Sequence, residues 1–275
     1  MTSGHFELAH RQPMTLTTRD HAFALLKAAR PWDVASASRT FKKWAPRPTT
    51  RTMPWAARLD AYQFGGADAA TASSRFGDFN QRLLSRDPKT RVRAAQDIFD
   101  WGRVRPKSDW SDKHVVAVVD AARNPASQAR TEPTPWSSSW TKIAAAATHD
   151  SDVDRTQTPS PQVIWDSRVS FAIAELSNGI GPIDKAGMLV VPGRTDGREN
   201  KSGRAMTLKS EGWRFATGHW SSRSVAFWRS QRAGSLVIKE MVHLLNNHED
   251  FESERREHAR WTSFDVALAL FVEGY

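Results

Sequence analysis

The chain has 275 residues, and its 12 Trp and 13 Phe supply enough apolar surface for a large core although only 39% of the residues are hydrophobic. It has no cysteine, which excludes disulfides, thiolate catalysis and cysteine-ligated zinc or iron–sulfur clusters. The formal net charge is +9 and the pI is about 10.1. Such a positive balance favours a polyanionic partner, and nucleic acid is the commonest one.

The N-terminal residues have no apolar segment of the signal-peptide type, and no apolar run approaches the ~20 residues that a membrane helix needs. We therefore expect a cytoplasmic protein, and we expect it to be a monomer without a cofactor. A metal site is not expected either, because His243 and His248 lack the i, i+4 spacing of a helical zinc-binding pair.

A helical period dominates the first half of the chain. Asp87-Pro88 is the clearest helix start, since proline suits the first turn. A polar connection covers residues 124–134. The predicted helices of this half are 17–29, 33–44, 76–84, 88–101 and 111–122.

The second half begins with an alanine-rich helix that starts at Thr134-Pro135 and fades near His149. A polar loop follows, and Asp166 starts the next helix, which ends at Asn178-Gly179. The later predictions are a strand at 188–191 and helices at 219–229, 236–246 and 264–272. The pattern predicts a mostly α fold with few short strands. It favours a single domain over residues 1–275. Within that domain, two helical lobes (about 1–130 and 131–275) flanking a DNA-binding cleft would fit the same pattern.

Two short strings contain the residues most suited to chemistry. Ser138-Ser139-Trp140-Thr141-Lys142-Ile143-Ala144 places a lysine on the alanine-rich helix, and Val163-Ile164-Trp165-Asp166-Ser167-Arg168-Val169 places an aspartate at a helix start. The two residues, Lys142 and Asp166, are 24 positions apart. A lysine amine can attack a sugar carbon if its pKa is depressed, and a carboxylate can stabilise the positive charge that develops on the sugar. This pair is therefore suited to cleavage of an N-glycosidic bond.

Each residue also has an ordinary explanation. A lysine on an alanine-rich helix is usually solvated, and an aspartate before a helix is usually only its N-cap. On a helical wheel Trp136, Trp140 and Ile143 form the apolar stripe, and Lys142 lies on a different face. The wheel fits both a solvated lysine and a lysine that faces a cleft.

The two strings resemble those of the OGG-fold branch of the helix-hairpin-helix DNA glycosylase superfamily, the 8-oxoguanine glycosylase-like proteins of prokaryotes. The matching residues are Trp140-Thr141-Lys142 and Ile164-Trp165-Asp166-Ser167-Arg168-Val169. The resemblance covers about residues 75–180. It implies a helical glycosylase-like fold, Lys142 as the nucleophile and Asp166 as the charge-stabilising carboxylate. One departure is that Thr134–Ser139 contains no glycine, whereas better-known members have a glycine-rich hairpin there that binds a DNA phosphate.

The resemblance also suggests where substrate would bind. Candidates for the base pocket are Trp140, Ala146, Trp165 and Phe271, and candidates for DNA contact are Ser138, Ser139, Arg168, Arg103, Arg105 and Lys107. The small side chains of Ala144–Ala147 predict a roomy wall one turn after the lysine. Since some prokaryotic glycosylases of this kind remove hypermodified bases in anti-phage defence, the favoured substrate is a bulky, for example glucosylated hydroxymethyl, cytosine of phage DNA.

Three alternatives stay open from the sequence. The chain is an 8-oxoguanine repair glycosylase with or without lyase activity, a non-catalytic helical DNA-binding protein, or a structural protein whose basic charge is incidental.

Overall fold

The computed structural model describes residues 18–28, 55–103, 106, 109–124, 135–149, 161–177, 190–192, 214–216, 224–256 and 259–274. The described helices are α1 (Thr18–Lys27), α2 (Trp55–Asp60), α3 (Ala69–Leu83), α4 (Pro88–Trp101), α5 (Asp112–Arg123), α6 (Ser138–Ala147), α7 (Ser167–Leu176), α8 (Ser224–Asn247) and α9 (Ser263–Glu273). A 3₁₀ helix covers Glu249–Glu254, and strands β1 (Val190–Pro192) and β2 (Arg214–Ala216) pair in parallel. The protein is mostly α, which confirms the predicted fold class. Among the described residues, no helix is long and apolar enough to cross a membrane.

Five of the described helix starts agree well with the sequence prediction. The predicted starts of α1, α4, α5, α7 and α9 lie within two residues of the observed ones. The Asp87 side chain accepts the Lys89 and Thr90 amides at the start of α4, as an N-cap residue does.

Other predicted boundaries were wrong. Helix α3 begins seven residues earlier than predicted, because Asp68 caps it by accepting the Thr71 amide. Helix α6 begins after Ser137, not at Pro135, because the Ser137 hydroxyl accepts the first free amides. Helix α8 is continuous where two helices were predicted, and α2 was missed. The helix predicted at 33–44 lies outside the described residues.

Two buried helices form the centre of the molecule. Helix α6 packs against α3, α4 and α5, and α9 packs against α2, α3, α7 and α8. Short alanine side chains let neighbouring groups reach the end of α6, where Asn80 Nδ2 donates to the Ala146 carbonyl at 2.8 Å and Arg123 Nη1 donates to the Ala147 carbonyl at 3.1 Å. These bonds satisfy carbonyls that have no partner within the helix.

The last turn of α9 is fixed on two sides. Arg58 Nε of α2 donates to Glu273 Oε2 at 2.7 Å, and both side chains are buried. On the other side, a Cβ at Gly274 would lie 2.2 Å from the Arg168 carbonyl oxygen at the start of α7, so only glycine permits this approach. The contacts hold Phe271, one turn before, against the start of α7.

Candidate active site

Lys142 lies within α6, and its side chain is only 4% exposed. Its Nζ donates to the Ser138 carbonyl, one turn earlier, at 3.0 Å. The helical wheel did not predict this burial, because it assumes that one face of a helix is exposed. Residues from Ser139 to Ala147 are all buried, so the face off the apolar stripe is also interior.

The aliphatic stem of Lys142 packs directly on a glycine at the end of α4. A Cβ at Gly102 would lie 2.7 Å from Lys142 Cδ and 2.8 Å from Lys142 Cε, closer than real Cβ contacts. Gly102 therefore leaves the space that the lysine stem occupies, and this close approach fixes the course of the side chain.

Burial lowers the pKa of the Lys142 ammonium. The negative charge of Asp166 raises this pKa and the positive charge of Arg168 lowers it, and both effects are smaller than that of burial. Removing a charge from water disfavours the charged form, so more of this amine is neutral at a given pH than in an exposed lysine. A neutral amine has the free electron pair that nucleophilic attack requires.

Asp166 is the N-cap of α7 and is 6% exposed. Its Oδ1 accepts the amides of Arg168 at 3.0 Å and of Val169 at 3.1 Å. The two bonds and the positive end of the helix dipole hold the carboxylate in place.

A hydrogen bond between the neighbours of Lys142 and Asp166 joins the two strings. The Trp165 amide donates to Thr141 Oγ1 at 3.2 Å, and Thr141 Oγ1 donates to the Ser138 carbonyl at 3.0 Å. The Ser138 carbonyl thus accepts from both Thr141 and Lys142. This network places the lysine and the aspartate on the same cavity although 24 positions separate them.

That cavity has a volume of about 70 Å³. Aromatic rings supply much of its wall, and the polar groups are concentrated around Lys142 and Asp166. The lining residues are Tyr62, Phe64, Trp101, Gly102, Ser138, Lys142, Ile164, Asp166, Ser167, Arg168, Val169, Ala267, Leu268 and Phe271. An amine, a carboxylate and flat apolar walls therefore share one space.

The aromatic walls contact one another edge to face. Phe64 lies 5.5 Å from Trp101 and 5.4 Å from Phe271 between ring centroids, and Tyr62 lies 5.7 Å from Phe271. The Arg168 guanidinium lies over the Phe271 ring at 5.1 Å from its centroid, which is within cation–π range.

Several predicted site residues lie on this cavity. Lys142, Asp166, Phe271, Ser138 and Arg168 all line it. Arg103 does not line it, but its exposed side chain lies over the lining Phe64 ring, at 5.8 Å from the centroid. Arg105 and Lys107 lie outside the described residues.

The other predicted pocket residues belong to the core, which corrects the sequence interpretation. Trp140 is fully buried between Phe99 and Trp110. Trp165 packs on Gly234 of α8, where a Cβ would lie 2.1 Å from its ring. Neither tryptophan lines the cavity.

Ala146 and Ser139 are likewise wrongly assigned. Ala146 is fully buried against the helices around α6 and does not line the cavity, so the predicted roomy alanine wall is wrong. Ser139 is 1% exposed, and its amide is held by the Ser137 hydroxyl.

Sequence reasoning missed Tyr62, Phe64 and Gly102 as site residues. The pair Gly65-Gly66 after two closely spaced aromatics was a turn signal that would have indicated a hairpin-like element there. Both glycines have positive φ, +63° and +76°, and the Phe64 and Ala67 backbones exchange two hydrogen bonds of 3.1 Å across the turn.

No metal centre is evident in the part of the chain that the structure describes, where no three His, Cys, Asp or Glu side chains are grouped to hold an ion.

Comparisons of the chain with protein family models, with curated proteins and with solved structures found no match. The resemblance to OGG-fold glycosylases therefore stays a prediction from the two strings.

Proposed function

We propose that the chain is a DNA glycosylase that excises a modified base from a flipped-out nucleotide. The observation that carries the proposal is that Lys142 and Asp166, predicted from two separate strings, line one cavity with aromatic walls. A nucleophilic amine, a carboxylate and stacking surfaces are the three components that excision of an extruded base requires.

In the proposed reaction the neutral Lys142 amine attacks C1′ of the deoxyribose. The bond from C1′ to the base breaks, and the base leaves with the electron pair and takes up a proton. The new amine then loses a proton and the sugar ring opens to a Schiff base. Hydrolysis of the Schiff base releases Lys142 and leaves an abasic site.

Asp166 stabilises the positive charge that develops on the sugar as the glycosidic bond breaks. Its carboxylate is held by two backbone amides and is only 6% exposed. A fixed charge in a site with little water needs no reorganisation during the reaction, which makes its electrostatic effect large. In the variant of this mechanism without a covalent step, Asp166 acts in the same way and water replaces Lys142 as the nucleophile.

The base would occupy the aromatic part of the cavity, in which Tyr62, Phe64, Trp101 and Phe271 offer flat apolar surfaces. Ala144–Ala147 lie in the core and so do not support a bulky base. The bulky phage cytosine thus remains a proposal from the resemblance alone, beside 8-oxoguanine repair.

The identity of the base is tested by mass spectrometry of bases released from several genomic DNAs, including phage DNA with modified cytosines. Release of a modified cytosine supports the favoured substrate, and release of 8-oxoguanine alone supports the repair alternative. A protein that binds DNA and releases no base from any of them is a non-catalytic DNA-binding protein.

The nucleophile is tested by borohydride trapping on the DNA that is processed. We expect a covalent protein–DNA adduct that Lys142→Met abolishes, because methionine keeps the stem and removes the amine. Lys113→Met, at an exposed lysine of α5, is the matched control and should trap as the unchanged protein does. Abasic sites without an adduct would show that water is the nucleophile.

The carboxylate is tested with Asp166→Asn, because asparagine caps a helix as well as aspartate does and removes only the charge. We expect base release to fall by about 100-fold or more, as for loss of a preorganised charge-stabilising group, with DNA binding retained. Asp87→Asn makes the same change at the exposed cap of α4 and should have no effect. Full activity of Asp166→Asn would refute the mechanism.

A further inference from the structure

The cavity is too small for the ligand that its walls suit. Its volume is about 70 Å³, whereas an apolar cavity that admits benzene measures about 150 Å³. A six-membered aromatic ring therefore fits wholly inside the cavity only if one wall moves outward.

Most of the walls are held within the interior. Tyr62 is 1% exposed and Phe271 is 8% exposed. Trp101 belongs to α4 and contacts Phe76 edge to face at 5.0 Å between ring centroids. Moving any of these three rings would disturb the packing of the core.

Phe64 differs from the other three rings. Its side chain is half-buried, as that of Trp101 is, but Phe64 precedes the Gly65-Gly66 turn, in which both glycines are exposed, whereas Trp101 belongs to α4. Among the described residues, no atom lies within 4 Å of the position that a Cβ would take at either glycine. The exposed Arg103 side chain covers the Phe64 ring. A shift of Phe64 would break its ring contacts with Trp101 and Phe271 but would not require a helix to move.

We propose that Phe64 is the movable wall of the cavity and sets the largest ring that reaches the Lys142 amine. The proposal rests on the proposed function, because it concerns the size of the group bound beside Lys142. In this proposal Phe64, and not Ala144–Ala147, determines the size of the substrate.

The test uses small aldehydes as probes of the space beside Lys142, and it requires no DNA. An aldehyde condenses with a neutral amine with loss of water, and cyanoborohydride transfers hydride to the imine carbon to leave a stable secondary amine. Acetaldehyde is the small probe and benzaldehyde the ring-sized one. Site-resolved mass spectrometry measures modification of Lys142 relative to that of the exposed Lys113 for each aldehyde, and this division removes differences in intrinsic reactivity.

The expected result is that benzaldehyde modifies Lys142 of the unchanged protein much less than acetaldehyde does. Phe64→Ala should raise the benzaldehyde-to-acetaldehyde ratio by about tenfold, as relief of overpacking in a filled site does. Phe64→Leu, a milder truncation, should raise the ratio in the same direction and serves if the alanine variant does not fold. The matched control is Phe23→Ala, since Phe23 is also a half-buried ring and packs on His248 and Phe251 away from the cavity.

Three results would overturn the proposal. The first is a benzaldehyde-to-acetaldehyde ratio that is equal in the unchanged protein and in both Phe64 variants. The second is a rise of this ratio in Phe23→Ala as large as that in Phe64→Ala. The third is modification of Lys142 in the unchanged protein by benzaldehyde as readily as by acetaldehyde. Because the labelling involves no nucleic acid, these results are distinguishable from failure of the glycosylase proposal, which the trapping and base-release experiments decide.

Discussion

Gly102→Ala tests the idea that close packing positions the Lys142 amine. The new Cβ would lie 2.7 Å from Lys142 Cδ and 2.8 Å from Cε, whereas ordinary contact begins at 3.4 Å. The lysine stem must therefore move by roughly 0.6–0.7 Å or leave its place, because the backbone of Gly102, with φ of −73°, accepts alanine without strain.

The size of the effect follows from this displacement. Misplacing a reacting group by about 1 Å costs on the order of 100-fold in rate, so we expect base release to fall by about 10- to 100-fold. Overpacking costs about 1–3 kcal/mol and the reduced entropy of the unfolded chain returns about 0.4–1 kcal/mol, so the net loss of stability is about 0–2.6 kcal/mol. Activity should therefore fall well beyond what partial unfolding explains.

The assay compares single-turnover base release, urea unfolding and acetaldehyde labelling of Lys142 as a function of pH. The matched control is Gly77→Ala in α3, where no atom of the described residues lies within 4 Å of the new Cβ. It should keep full activity and gain about 0.5–1 kcal/mol of stability. Suppose that the Gly102→Ala variant releases base at the rate of the unchanged protein, and that acetaldehyde labels its Lys142 with the same rate and pH dependence. Gly102 would then not position the lysine.

Two further predictions concern buried charge. Because burial lowers the pKa of Lys142 in the folded state, the unfolded chain binds more protons, and this group makes the folding stability fall as pH is lowered from its usual pKa of 10.5. Lys142→Met should therefore raise the urea midpoint at about pH 7 by more than at about pH 10, and an equal change at both would contradict the pKa direction. Glu273→Ala should cost about 3–5 kcal/mol because it leaves Arg58 buried and unpaired. Asp250→Ala breaks the exposed pair with Lys27 and should cost about 1 kcal/mol or less, so equal losses for the two variants would refute the distinction.

The parts of the fold that the sequence predicted depend on neighbouring residues in the chain. Asp87 and Asp166 accept amides two and three positions later, so the caps at the starts of α4 and α7 are readable without knowledge of the tertiary structure. The same locality explains why the two strings were recognisable. The predicted start of α3 was wrong because Asp68, its cap, is followed by Ala69-Ala70-Thr71, and this segment has little apolar periodicity.

The walls of the cavity depend on contacts between distant segments. Phe64, Trp101 and Phe271 meet in space although more than 200 residues separate the first from the last. Nothing in the sequence near Trp140 or Trp165 distinguishes a tryptophan that packs in the core from one that faces a cavity. Trp140 lies in the core because it packs on Phe99, and Trp165 lies there because it packs on Gly234, and both partners are distant in the sequence.

The burial of Lys142 is the observation that favours the proposed role over that of an ordinary surface lysine. An ammonium removed from water and bonded to a single described acceptor, the Ser138 carbonyl, lowers the stability of the fold. A methionine would occupy the same volume without that cost. Lys142 is a destabilising group on a cavity, and it lies beside a carboxylate that two amides hold. Such an arrangement is expected at a functional site, where a group needed for the reaction lowers the stability of the fold. The Lys142→Met variant therefore tests both sides of the argument, since it should be more stable at neutral pH and unable to form the covalent adduct.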